Sequence, residues 1–192
     1  MELLVFGQIP TYEEIQEVRK SLSEMSIKHW RHDDLLSLSW WFLLFSTFMP
    51  YIVWWRYVNK TKFYEIFSFG LFCGIVATVL DVVGVDLLLW GYPDKLFSMV
   101  PPLFPADICV IPVSSMFIFQ WFTKWKSFII ATIIWAAILS FIVEPVFIYF
   151  HMFELHDWKH TYSFLGFIVY LLSCRTAFHL IHQHVVKKIQ PS

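Results

Sequence analysis

Asp81, Asp107 and Glu144 are carboxylates set in otherwise apolar runs of the chain. An acid in a hydrocarbon environment is costly, and those that persist there face protein and handle a proton, a cation or a helix contact. Asp81 has the richest context. At about 100° per residue, Gly70, Gly74, Ala77, Asp81, Gly84 and Leu88 fall on one narrow helical stripe. Gly70-x-x-x-Gly74 is a small-residue contact face, and Gly84 extends it. Asp81 therefore points at a neighbouring helix and away from lipid. A hydrogen bond that glues helices is one role for it; an ion or proton site is the preferred one. Glu144 precedes Pro145 and shares a stripe with Ala137, Ser140 and His151. Pro145 has no N–H for the carbonyl four residues back, which frees that carbonyl and favours a kink. A carboxylate beside a free carbonyl suits a cation; an ordinary kink with Glu144 bonded to a nearby Tyr or Trp is the equal alternative. Asp107 follows Pro105-Ala106 at the start of a helical run, where capping is the preferred role.

The histidines carry less. His156 and His160 are four apart around Asp157, a spacing that binds metal on a helix. No established metal motif frames them, so a polar interfacial loop is the better reading. His179, His182 and His184, with Lys187 and Lys188, mark a helix exit. No Ser/His/Asp set, Gly-rich phosphate loop or CxxC is present. No cofactor, catalytic set or resident metal is expected.

The elements that must position these acids follow from composition. Of 192 residues, 58% are hydrophobic, 20% aromatic and only 15% charged. Soluble domains carry about 25% charged residues to coat their surface. The apolar residues also sit in long runs, so the expected class is an all-α membrane protein: an N-terminal amphipathic helix plus a five-helix transmembrane bundle. A net charge of −1 leaves no basic surplus for nucleic acid. Cys73, Cys109 and Cys174 lie in apolar runs and read as small buried hydrophobes. Met1 to Gln8 lacks a basic leader, so no cleavable signal peptide is expected.

Residues 1–33 form the first unit. Thr11 and Glu14 make a capping box, and Ile15, Val18, Leu22 and Met25 recur at helical spacing. The polar face is too mixed in charge for an anionic-lipid sensor, so the helix is expected to dock on the rest of the protein. Residues 34–184 hold five spans, at roughly 35–55, 63–90, 106–122, 127–150 and 163–182, and 185–192 is a short basic tail. Paired Trp40-Trp41 and Trp54-Trp55 suggest interfacial belts at the ends of the first span. The connector before the third span holds Pro93, Pro101, Pro102 and Pro105, with no charge between Leu96 and Asp107. It is expected to dip into the interface or to pack over the bundle, and not to form a free loop.

Alternating spans bring the acids together. Asp81 lies late in the second span, Asp107 opens the third, Glu144 and His151 close the fourth, and Lys159 and His160 precede the fifth. All six belong to one half of the bilayer and form the candidate polar site. Arg56, Lys60, Lys62, Lys124 and Lys126 occupy the opposite loops. Such basic loops are cytoplasmic as a rule, which puts the C-terminus inside and the N-terminus outside a cell membrane.

Trp90-Gly91-Tyr92-Pro93, Pro105-Ala106-Asp107, Gln120, Phe141-Ile142-Val143-Glu144-Pro145 and Trp158-Lys159-His160-Thr161-Tyr162-Ser163-Phe164 follow one another over roughly residues 80–170. Their order and spacing resemble the CBO-type family of small multipass membrane proteins of spore-forming Gram-positive bacteria. The family has Pro after Tyr-Ser-Phe, where Leu165 stands here. The resemblance implies an integral membrane protein and brings no activity with it.

The leading expectation is a small transporter, channel-like protein or sensor with a cation- or proton-responsive site in the outer half. The alternative is a structural or assembly partner that forms homo- or hetero-oligomers through the Gly70/Gly74 face. A membrane-embedded enzyme ranks third.

Overall fold

The computed structural model describes residues 9–98 and 103–189, with side chains to His184. Met1 to Gln8, Pro101, Pro102 and the last three residues lie outside them. The described residues are predominantly helical. Helix α1 (Tyr12–His29) is followed by α2 (Leu38–Tyr57), α3 (Phe63–Asp86), α4 (Ile111–Trp121), α5 (Trp125–Ile138), α6 (Glu144–Tyr149) and α7 (His160–Ile189). Among the described residues, four stretches are long and apolar enough to cross a membrane: Leu38–Tyr57, Lys60–Asp86, Trp125–Tyr149 and His160–His184. Ala106–Trp121 is apolar but shorter.

Three π turns interrupt the α-helical ladder: Trp30–Asp34, Ala106–Val110 and Leu139–Val143. The last joins α5 to α6, so the kink expected at Pro145 is a wide turn just before Glu144. Pro145 lacks the N–H that would close an α turn there, and the ladder slips by one residue instead.

Thr11 caps α1, and Thr11 and Glu14 exchange both capping-box bonds. The expected docking of this helix on the bundle does not occur: none of its residues is buried, and Val18, Leu22 and Met25 are exposed. The paired tryptophans also divide. Trp40 donates its indole N–H to Leu96 O at 3.1 Å and Trp54 is buried, whereas Trp41 and Trp55 are exposed. Trp40 and Trp54 are fourteen residues apart, close to four full turns, so they share the inner face of α2.

Helix α4 is the axis of the bundle. It packs against α2, α3 and α5, and Pro112, Val113, Ser115, Met116 and Ile118 are buried in it. Gly70 of α3 faces Met116, and a Cβ on Gly74 would stand 3.1 Å from Pro112 Cγ. The small-residue face therefore receives this chain's own α4. Beside that contact a groove of about 380 Å³ includes Tyr51, Gly70, Gly74, Ile108 and Pro112 in its walls. The stripe stays buried from Gly70 to Gly84 but excludes Leu88, because α3 ends at Asp86 and Leu88 takes a left-handed φ of 56°.

Helix α4 ends beside the α2–α3 turn. Gln120 Oε1 accepts from the Asn59 N–H at 2.8 Å, and Gln120 Nε2 donates to Tyr57 O at 3.1 Å. On the opposite end of the bundle, Leu96 and Leu103 of the proline-rich connector are buried against Leu43 and Met152. The connector thus packs over the helices as its composition predicts. A two-residue antiparallel pairing, Trp90–Gly91 with Glu154–Leu155, ties it to the α6–α7 connector.

Candidate functional site

Asp81 sits on the inner face of α3, one turn before Gly84. A Cβ on Gly84 would overlap the indole of Trp90. Its absence lets the connector fold back over the helix end, and Trp90 Nε1 donates to Asp81 Oδ1 at 2.8 Å. The Tyr92 hydroxyl donates to the same oxygen at 2.7 Å. Burial, with Asp81 alongside, holds the Tyr92 phenol well above its usual pKa, so it remains a donor. Gly84 is therefore a seat for an indole and not part of a helix–helix contact, which corrects the packing role its stripe suggests.

Asp107 comes from the π turn before α4. It caps neither element: the cap positions are Pro105 for the π turn and Val110 for α4, and neither has a side-chain cap bond. The Asp107 carboxyl is buried and lines the same cavity as the Asp81 carboxyl. Asp81 Oδ2 and Asp107 Oδ2 are both buried, with no hydrogen-bond partner among the described residues. Two ionised carboxylates are acceptors only and cannot satisfy each other. Two buried acids in one cavity are compatible when one of them is protonated or when a cation lies between them.

Glu144 follows the π turn that ends α5. Its Oε2 lies 2.7 Å from His160 Nδ1 at the start of α7. The pairing is with an imidazole and not with the Tyr or Trp that sequence reasoning allows.

Asp81, Asp107 and Glu144 all line one cavity of about 400 Å³. Its walls are mostly aromatic and aliphatic, including Phe147, Phe153, Trp158, Phe167 and Tyr170. Ser163 is also in the wall and accepts from Trp158 Nε1 at 3.0 Å. Leu80, Val83 and Gly166 line the cavity and are also exposed, so it reaches the outside of the bundle between α3 and α7.

Two residues of the expected site lie elsewhere. His151 is exposed, with a left-handed φ of 57° at the close of α6. It shares a stripe with Glu144 only if the helix continues, and α6 ends at Tyr149. Lys159 is exposed beside the Tyr162 ring and contributes no charge to the cavity. His160 belongs to the site only through Glu144. His156 is exposed and its backbone N–H donates to Leu89 O; it lies before α7, which begins at His160, so the two histidines do not have the i, i+4 helical relation that the metal reading needs.

Sequence reasoning missed the partners of Asp81. Trp90 and Tyr92 lie nine and eleven residues beyond it, past the helix end, and no helical periodicity relates them. The available signal is their chemistry: buried Trp and Tyr carry an N–H or O–H that seeks an acceptor. Arg175 was also missed. It is buried on α7, where Nη1 donates to Phe122 O at 2.9 Å and Nη2 donates to Thr123 O.

The chain matches no protein-family model, no curated protein and no solved structure.

Proposed function

We propose that this chain is a five-span membrane protein whose Asp81–Asp107–Glu144 cavity binds a proton or small cation and makes the protein respond to it. The observation that carries this reading is the pair of buried, unpartnered oxygens, Asp81 Oδ2 and Asp107 Oδ2, on two carboxyls that line one cavity. Lys159 is turned away, and His160 is engaged with Glu144. Among the described residues, no Lys or Arg lines the cavity to neutralise the two aspartates. A shared proton or a bridging cation meets that need.

The N-terminus is outside and the C-terminus cytoplasmic in this reading, since the basic loops face inward. The site then lies in the outer half. The resemblance to the CBO-type family spans roughly residues 80–170, the same stretch that builds the cavity. N-terminal helix α1, with its apolar residues exposed, lies at the membrane interface.

Infrared difference spectroscopy on the purified protein tests the reading. Titration of pH, or of Na⁺ or K⁺ at fixed pH, should change a carboxyl C=O band. Asp81→Asn and Asp107→Asn should each remove that change while Asp86→Asn, on the exposed side of α3, leaves it. A wild-type spectrum indifferent to both titrations would overturn the proposal.

A further inference from the structure

His29, Asp33 and Asp34 converge where α1 passes into its π turn. In an α-helix, residues i and i+4 share a face and i+5 is turned well away from it. The wider π turn brings i+5 back toward i. His29 Nε2 lies 3.7 Å from Asp33 Oδ2 and 3.4 Å from Asp34 Oδ1. Ligand atoms held tetrahedrally at about 2.0–2.1 Å from an ion stand about 3.4 Å from one another.

Asp34 supplies a second, independent observation. It is only 2% exposed. Its Oδ2 accepts the Lys95 N–H at 2.9 Å, while Oδ1 has no hydrogen-bond partner among the described residues and is aimed at His29. A buried carboxylate oxygen left in that state is costly. His29 and Asp33 are more than half exposed, which leaves an approach for an ion and room for water ligands.

We infer that His29, Asp33 and Asp34 bind a divalent first-row transition metal of the Zn²⁺ class. One imidazole nitrogen and two carboxylate oxygens are the protein ligands, and water completes the shell. Imidazole nitrogen and carboxylate oxygen are both zinc ligands, and three protein ligands leave an open position, whereas an imidazole disfavours Mg²⁺ and Ca²⁺. The ion would also tie α1 to the connector. Asp34 holds Lys95 N, and Trp30 Nε1 donates to Lys95 O and Leu96 O at 3.1 and 3.2 Å.

The test uses full-length, tag-free protein in detergent, stripped with EDTA. His179, His182 and His184 are replaced by Gln throughout, because a histidine-rich helix end can bind metal unaided. Co²⁺ is titrated by its visible absorption and then displaced with Zn²⁺. One Co²⁺ per chain is expected. His29→Ala and Asp34→Asn should each weaken binding by more than the roughly 10–100-fold that loss of a supporting hydrogen bond costs. Asp34→Asn keeps an oxygen for Lys95 N–H, and His29→Ala changes an exposed side chain, so melting in EDTA should be unaltered. If Asp34→Asn fails to fold, His29→Ala decides alone. Absence of Co²⁺ and Zn²⁺ binding in the wild type, or wild-type affinity in His29→Ala, would reduce the cluster to an ion pair and overturn the inference.

Discussion

A methyl group on Gly84 would overlap the Trp90 indole, and that indole donates to Asp81 Oδ1 at 2.8 Å. Hydrogen bonds to a charged group contribute about 1.5–3 kcal/mol, so the bare helix surface at Gly84 and the bond at Asp81 stand or fall together. Gly84→Ala should cost about 1–3 kcal/mol, the usual range for overfilling a packed site. Most of that loss should vanish in a Trp90→Ala background, where nothing remains to be displaced. Unfolding of the four proteins in mixed micelles measures the cycle. Additivity to within about 0.5 kcal/mol would mean that Gly84 and Trp90 are independent. Tyr92 donates to the same oxygen, so Asp81 keeps one bond after the indole is lost, and the cavity should survive the substitution.

The helices meet through their ends as much as through their faces. Arg175 of α7 reaches Phe122 O and Thr123 O, carbonyls at the C-terminal end of α4. These groups have no partner within their own helix, and the helix dipole favours a cation there. The guanidinium also lies 4.0 Å above the Phe128 ring. Arg175→Met should destabilise the bundle by about 1–3 kcal/mol, because two carbonyls then lose a charged donor. Arg175→Lys should recover only part of this, since an ammonium cannot present the guanidinium fork. Thermal melts of the three proteins check the order. Equal stability of Arg175→Met and wild type would show that water replaces the donor. The π turns belong to the same scale: Asp34, Asp107 and Glu144 each lie in or directly after one. A wide turn re-aims the residues around it, and here it aims acids at the interior.

At the scale of the molecule, the number of crossings decides what the cavity faces. Ala106–Trp121 is only 16 residues, about 24 Å at 1.5 Å per residue. The Gln120 bonds to Asn59 and Tyr57 nevertheless bring its end to the α2–α3 turn. A fifth crossing is therefore proposed, with the hydrocarbon layer thinned or the connector dipping to meet it. Single cysteines at Lys60 and Lys126 should then react only from the cytoplasmic side, and those at Asp94 and His156 only from outside. The reverse pattern would invert the orientation. A third pattern, with Lys126 on the Asp94 side and His156 on the Lys60 side, would mean that α4 re-enters without crossing.

Helical periodicity is a local property, because it depends on one backbone ladder. That is why the stripe from Gly70 to Gly84, the α1 capping box and the apolar stretches are legible in the residues themselves. Alternation of spans is nearly as local, and it suffices to collect Asp81, Asp107 and Glu144 at one end of the bundle. Contact between them is another matter. It depends on how far each helix is rotated against its neighbours and on where a connector returns. Only the folded chain gathers Asp81 and Asp107 around one cavity, brings Trp90 and Tyr92 back over Asp81, and turns Asp107 from a cap into a wall of the cavity. It also removes His151 and Lys159, by ending α6 at Tyr149 and leaving Lys159 in solvent. The π turns escape sequence reading for the same reason: a one-residue slip in the ladder is cheap locally, and packing around it determines whether it forms.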